Sequence, residues 1–468
     1  MPPGRRNNNP SKRPCRAEGE GTPLADETLL SIFAGLTSLA DLVRCAATCT
    51  RWRRVVSSDA AFLCRRRRLA TGNRAGRFLT ALAIGFFHHH QQDDDDDGGE
   101  TRFVATASAS RSFGLRQPTP LRSLVADAGL LGRRVVASRN SLVVVDSRRD
   151  ERDRDLELCV CNPMTGHARA LPPLAGKKDG LGQYACTLIT ARDLDTRKNG
   201  ASPSDYFRVV IVYRRLGFTA FRSYTSSDDA WSEEARVSGA RLVGREKMSS
   251  MRNGVVSRGG RAAYWLLENV VFGLRLDTLE AATANLPSSW PELDTNNVLL
   301  GLTPHGRLCA VRLGVQRGIS PDTNGKWEYT LRVRSGGHSG NVDGDVDDIK
   351  LQMSRLVRET RDVIWVGKFL LDSIVNVKLR SFCERSGVVF FSAREWSYSS
   401  DRRYYMYRFS MDAKTVEKVA SHVGWRDPWR DVHGYEMDQA AYLASLAPGD
   451  SEGGGIRDAD HPLSSSIP

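Results

Sequence analysis

At roughly 100–200 residues per domain, a chain of 468 residues implies two to four domains, or one small domain and one large one. Hydrophobic residues at 40% and charged residues at 26% are enough for a real core, which excludes a wholly disordered chain. The net charge of +12 is concentrated: residues 1–70 hold 13 Lys and Arg against 6 Asp and Glu. Such a segment suits nucleic acid, an anionic membrane or an acidic protein, without choosing among them.

Residues 1–21 are rich in Pro, Gly, Asn and Arg and are expected to be a disordered basic tail. They hold no apolar core, so no secretory signal is read there. Arg5-Arg6 and Lys12-Arg13 suit nuclear import, though a solvated basic tail is the simpler reading. No run of about 18 apolar residues occurs, so no membrane helix is expected. Together these place the chain in the cytoplasm, the nucleus or both.

From residue 22 to 68 the pattern is helical. Leu29, Ile32, Phe33 and Leu36 fall at i, i+3, i+4 and i+7, one face of a helix, with Leu24 and Leu30 beside it. Ser38-x-x-Asp41 reads as a capping-box start for a second helix carrying Leu39, Leu42, Val43 and Ala46. A third helix runs from Thr48 to Val56, with Trp52 among arginines. The spacing predicts a three-helix bundle, which is marginal alone because it buries little surface. Docking on a partner is one remedy; a helical cap on the following domain is the plainer one.

Residues 69–99 read as a linker ending in a low-complexity run, His88 to Gly99. Histidines beside Asp93–Asp97 are metal-binding residue types, but in a surface tract without fixed geometry, so no metal site is assigned. From 100 to 445 the texture changes to short apolar runs bounded by Gly, Asn, Asp or Pro: Val135–Val145, Leu156–Cys161, Phe207–Tyr213, Ala262–Leu266, Val270–Leu276, Leu308–Leu313, Tyr329–Val333, Val363–Val366, Val388–Ser392 and Tyr404–Phe409. These predict many short strands joined by turns. No strand–helix alternation suggests a parallel sheet. Charged inserts at 146–155 and 337–348 and a Gly- and Ser-rich tail at 446–468 interrupt or end this pattern.

Segments 160–173, 275–287 and 409–420, and more loosely 222–234, repeat one plan: a strand, a polar turn led by Asn or Asp, and a second short run. Neighbouring copies at 160, 222 and 275 start about 50–65 residues apart, which suits the four-stranded blades of a β-propeller, with room for about six. The fold class is therefore α+β multidomain: a small N-terminal three-helix bundle, then a large all-β, propeller-like domain. The nine cysteines show no C-x-x-C pair and read as scattered thiols in a reducing compartment.

Two resemblances follow from particular residues. Leu24, Glu27, Leu29, Leu30, Ile32, Phe33, Leu36, Asp41-Leu42, Arg44, Cys49, Arg51-Trp52-Arg53, Asp59 and Phe62 resemble the F-box in order and spacing. Ala25 stands where that family usually has Pro, and Thr28 where Leu is common. Cys161 to Gly166 with Leu171-Pro172-Pro173, the Phe207 to Val210 strand with Tyr224 and Trp231-Ser232, and Gly259-Gly260 with Tyr264-Trp265 resemble the F-box-associated β domains of plant proteins. The resemblance implies the substrate-recognition subunit of an SCF-type cullin–RING E3 ubiquitin ligase. It would bind a Skp-type adaptor through Leu24, Leu29, Leu30, Ile32, Phe33, Leu36, Leu42 and Trp52, with Arg44, Arg51, Arg53 and Arg54 aiding encounter. The β domain would hold an unknown target protein.

No catalytic role is read. His305, His338, His422 and His433 are scattered, and no nucleophile elbow, zincin helix or phosphate loop occurs. Neither catalytic residue, cofactor nor metal is assigned. A second reading is a β-propeller interaction scaffold with a vestigial F-box and no ligase role, which Ala25 and Thr28 keep open. Nucleic-acid binding through the basic N-terminal segment comes third, since the aromatics are not interleaved with Arg65–Arg68 as stacking platforms would be.

Overall fold

The computed structural model describes residues 24–70, 78–90, 99–115, 118–125, 134–148, 155–174, 182–194, 206–242, 251, 254–286, 297–316, 327–335, 348–358, 363–371, 374–395, 402–429 and 431–447. The basic tail at 1–21 lies outside them, as do most of the His/Asp run, the two charged inserts and the C-terminal tail.

Four helices, not three, open the described chain: α1 Asp26–Ala34, α2 Leu39–Thr48, α3 Thr50–Ser58 and α4 Ala60–Ala70. The fourth escapes a sequence reading because Arg65–Arg68 masks its stripe. Ala60, Leu63 and Cys64 are buried at i, i+3 and i+4, and the next position is Arg67. The Arg67 guanidinium donates to the Thr37 carbonyl at 3.1 Å and to Gln439 Oε1 at 3.2 Å. The capping box before α2 does not form: Ser38 makes no side-chain cap. Asp41 instead accepts from Arg44 at 2.7 Å, one turn along the same helix. Cys49 caps α3, its Sγ accepting from the Trp52 amide at 3.4 Å.

The remainder is β-rich, in six sheets that follow one another along the chain. Sheet 1 holds Ala83–His90, Glu100–Ala105 and Thr119–Pro120, plus Val432–Glu436 from the far end. Sheet 2 runs Arg134–Arg139, Leu142–Asp146, Leu158–Asn162 and His167–Ala170. Sheet 3 runs Tyr184–Thr190, Phe207–Arg215 and Phe218–Thr225, with the short strands Ala230–Trp231 and Ala235–Arg236 outside. Sheet 4 runs Val255–Val256, Ala262–Leu267, Val270–Arg275 and Glu280–Asn285, with Ser238–Gly239 added in parallel at its edge. Sheet 5 runs Val298–Leu302, Leu308–Gln316, Trp327–Ser335 and Val363–Leu371. Sheet 6 runs Ile374–Cys383, Val388–Glu395, Arg402–Ser410 and Thr415–Gly424. Every other pairing is antiparallel. The α+β multidomain class expected from the sequence therefore holds, with a helical region followed by an all-β body.

The inner edges of the sheets meet. Arg134–Arg139 packs on Tyr184–Thr190, and contact passes through Val255–Val256, Val298–Leu302 and Ile374–Cys383 to Val432–Glu436, which packs back on Arg134–Arg139. The last strand closes this ring by pairing with Ala83–His90, Phe87 opposite His433. Strands inside such a stack are covered on both faces, so they read as continuous apolar runs rather than alternating ones. Tyr184–Thr190 is buried at every position.

One boundary differs from the sequence expectation. The segment taken as a linker contains a strand of sheet 1, Ala83–His90, with Phe86 and Phe87 fully buried and the His88 ring 4.8 Å from Trp429. The β body thus begins before residue 100. At its other end, α7 (Gln439–Ala444) packs on α3 and α4, while α5 (Ala107–Phe113) packs on α2. Phe113 and Tyr442 meet edge to face at 5.6 Å within the core that also holds Leu29, Phe33, Leu42 and Leu63. The marginal helical bundle is therefore completed by the β body. A further helix, α6 (Ile349–Arg358), lays Ile349, Met353 and Leu356 on sheets 4 and 5.

The sequence repeat has a backbone counterpart. Its copies are the outer hairpins of sheets 2, 4, 6 and 3. In each, the residue just before the last strand of the hairpin has positive φ: Gly166 (76°), Leu279 (54°), Lys414 (54°) and Asp229 (50°). Three of these are not glycine and carry the strain of the left-handed region.

Candidate functional site

Helix α1 divides its apolar residues between two faces. Leu29 (3% exposed) and Phe33 (1%) point into the core, where the Phe33 ring meets Trp52 edge to face at 5.3 Å. Leu42 of α2 is fully buried beside them. Leu24 and Ile32 instead stand open, 53% and 50% exposed. Leu30, Leu36 and Trp52 are half-buried between the two, packed on the rim of the core. The start of α1 lacks a side-chain cap, since Ala25 offers none. Arg51 holds that turn instead: its Nε donates to Asp26 at 2.8 Å, and its guanidinium also reaches the Leu24 carbonyl. Arg54 lies 3.4 Å from the same carboxylate, and Arg53 donates to the Ala46 carbonyl at 3.3 Å.

A second feature lies within the ring of inner strands, a cavity of about 530 Å³. Its wall takes residues from every sheet, among them Arg134, Tyr184, Val255, Leu300, Phe382 and His433. Strand Val432–Glu436 begins on this wall and ends at α7 beside α4. Arg134–Arg139 likewise begins on the wall and ends at Arg139. The helices thus cap one end of the ring, and the cavity lies toward the other. Phe382 keeps its place because Gly301 has no side chain: a Cβ there would come within 2.1 Å of the ring.

Between cavity and helices the inner strands end in a buried charged cluster. Arg139 bridges Asp193 at 2.8 Å and Glu384 at 2.9 Å, tying sheets 2, 3 and 6. Asn140 donates to Thr190 Oγ1 at 2.8 Å and accepts from Arg385 at 2.9 Å. Glu436 accepts from the Ser386 amide at 2.6 Å, and Arg192 pairs with Asp438. Burial raises the Glu384 carboxyl to about 7; Arg139 pulls it down, while the nearby carboxylates Glu436 and Asp193 push it up. Burial also opposes the charge of Arg139, but its two carboxylates outweigh that and hold it above the usual arginine range.

Residues 26–69 match the family model described as F-box-like. The four N-terminal helices are an F-box-like domain. No curated protein matches the chain. Solved structures with some likeness include a prolyl endopeptidase, 12% identical over 81% of this chain and 55% of its own, with a TM-score of 0.35. Others are the WD40 domain of SCAP from fission yeast (8% identical, 73% of this chain and 66% of that one, TM-score 0.26) and a functionally unknown protein from Desulfotomaculum acetoxidans (12%, 75% and 99%, TM-score 0.33). The chain spans about half of the endopeptidase and just under two thirds of the SCAP domain.

Of the eight residues assigned to an adaptor interface, the F-box-like domain exposes Leu24 and Ile32 and half-exposes Leu30, Leu36 and Trp52. Leu29, Phe33 and Leu42 correct the expectation: the chain's own core takes them, so they hold the surface in shape rather than form it. His433 lies on the cavity wall, which no motif signalled. Among the described residues no group of three or more His, Cys, Asp or Glu is placed to hold a metal ion.

Proposed function

We propose that the chain is the target-recognition subunit of an SCF-type cullin–RING ubiquitin ligase and performs no chemistry itself. One observation carries this reading: an F-box-like domain at 26–69 that, with its core completed by the β body, still leaves Leu24 and Ile32 open to water. Two large apolar side chains, one just before α1 and one in its last turn, are a cost in isolation and suit the buried centre of an interface. The partner is a Skp-type adaptor and, through it, a cullin. We read the six sheets as the blades of a propeller, supported by their four-stranded meanders, the ring of inner strands and the joining of both chain ends in sheet 1. The plant F-box-associated class is supported by its sequence motifs. The target binds the body at the end away from the helices, in the cytoplasm or the nucleus. Affinity capture of the full chain from cells should bring down a Skp-type adaptor together with a cullin. Capture of neither would remove the ligase role and leave the body as an interaction scaffold.

A further inference from the structure

We propose that this chain is protected from its own ligase: helices α1–α5 and α7 and sheets 1 and 2 are kept free of the amines that accept ubiquitin. The inference rests on the ligase role above and adds how the subunit persists within it. The chain holds 11 lysines against 56 arginines, and they are unevenly placed. Residues 13–176 hold 24 arginines and no lysine, where the overall share of 11 in 67 would give about four. That span contains α1–α5, three strands of sheet 1 and all of sheet 2. No lysine follows Lys418, so the last strand of sheet 1 and α7 lack it too.

The chemistry separates the two cations. Ubiquitin is passed on from a thioester on a cysteine of a conjugating enzyme. A neutral lysine amine attacks the thioester carbonyl. A C–N bond forms, the C–S bond breaks, and the cysteine leaves as a thiol with a proton that the amine gives up. An arginine guanidinium carries the same charge but stays protonated and does not attack. A subunit held in the complex meets the thioester at high effective concentration for as long as it is bound. Its own exposed amines therefore compete with those of a target.

Geometry explains only some of the arginines. Arg51, Arg67, Arg139 and Arg148 each reach two groups at once, which suits the guanidinium fork. Others do work that an ammonium does as well. Arg44 meets the single carboxylate of Asp41 at 2.7 Å, and Arg122 that of Glu100 at 2.8 Å. Arg65, Arg66 and Arg111 are exposed, Arg66 lying over the Phe62 ring at 5.9 Å. Elsewhere the body gives these same tasks to lysine. Lys350 of α6 pairs with Glu280 at 2.6 Å, and Lys418 of sheet 6 lies over the Tyr405 ring at 3.9 Å. The helices and the first two sheets thus forgo lysine at positions that would take it.

The test reconstitutes ubiquitin transfer with the purified full chain, a Skp-type adaptor, a cullin–RING core, activating and conjugating enzymes, ubiquitin and ATP. Modified residues are mapped by mass spectrometry of their glycylglycine remnants. Arg65→Lys, Arg66→Lys, Arg111→Lys and Arg122→Lys, combined in one variant, keep the charge and leave the forked arginines alone. The variant should unfold at the urea concentration of wild type and carry ubiquitin on its installed lysines. Its self-modification should run at least about threefold faster than that of wild type. Adding Leu24→Asp and Ile32→Asp should remove the gain by releasing the adaptor. Ubiquitin on none of the four installed lysines overturns the proposal, whether or not native lysines such as Lys350 and Lys418 are modified. Weaker adaptor binding without that modification also overturns it, by showing that these arginines are kept for contact. Failure of the ligase role itself reads differently: wild type then captures no adaptor, and both readings fall together.

Discussion

The F-box-like helices and the β body present their candidate surfaces in opposite ways. The helices show theirs on the outside of α1 and the residues leading into it, where Ile32 and Leu24 stand in water while Leu29 and Phe33 of α1 are buried. The body shows its own on the inside, in a cavity whose wall is assembled from six sheets. A convex surface of this kind needs only one well-supported helix. A concave one needs the whole ring to be in place, and the ring is tied by charges as well as by packing. The difference teaches where damage should spread. Changes on the outer face of α1 should be local, and changes under it or between the sheets should be global.

The largest expected effects test that division. Phe33→Ala should cost about 3–5 kcal/mol and Leu42→Ala about 2–5 kcal/mol in denaturant unfolding, since each leaves a cavity in the core shared by helices and body. Arg139→Met removes the cation that joins Asp193 and Glu384 and should cost about 3–5 kcal/mol. A loss below about 1 kcal/mol for Arg139→Met would mean that the sheets hold together without their charged tie.

A middle-sized effect depends on pH. Glu384 faces Arg139, with Asp193, Glu436 and Arg385 around it, and its carboxyl is raised to about 7 from a usual value near 4.5. Between those values the folded chain binds the proton and the unfolded chain does not. Stability from this group is therefore greatest at low pH and falls as pH rises, by up to about 1.4 kcal/mol per pH unit, levelling off above 7. Urea titrations from pH 5 to 8 should show that fall in wild type and a shallower one in Glu384→Gln. Parallel slopes would reject the assignment.

The fold was partly legible. Each of the ten apolar runs read from the sequence overlaps a strand, with Val135–Val145 taking in two strands and the turn between them, because buried strands announce themselves by composition. The strand Ala83–His90 was hidden by its own histidines, His88 being buried despite opening a low-complexity run. Thr415–Gly424, at the outer edge of sheet 6, is too polar to stand out. At the candidate site, periodicity grouped Leu29, Ile32, Phe33 and Leu36 on one face, yet burial separates Ile32 from Leu29 and Phe33. The separation depends on α3 and α4 packing on one side of α1, which no local pattern reports. The cavity was invisible for a related reason, its residues being spread from Arg134 to His433.

The smallest effect sharpens the repeat. Leu279→Gly or Lys414→Gly relieves a side chain held at φ of 54° and should stabilise by up to about 1 kcal/mol, less the added freedom of the unfolded chain. A clear loss of stability in either would show that the side chain contributes more than its strained turn costs.

The outer face of α1 offers the most direct measurement. The double variant Leu24→Asp with Ile32→Asp should unfold within about 0.5 kcal/mol of wild type, since both positions are exposed. Its affinity for a purified Skp-type adaptor, measured by titration calorimetry, should fall at least about a hundredfold, as loss of two central apolar anchors implies. Unchanged adaptor affinity in a normally folded variant would contradict the account.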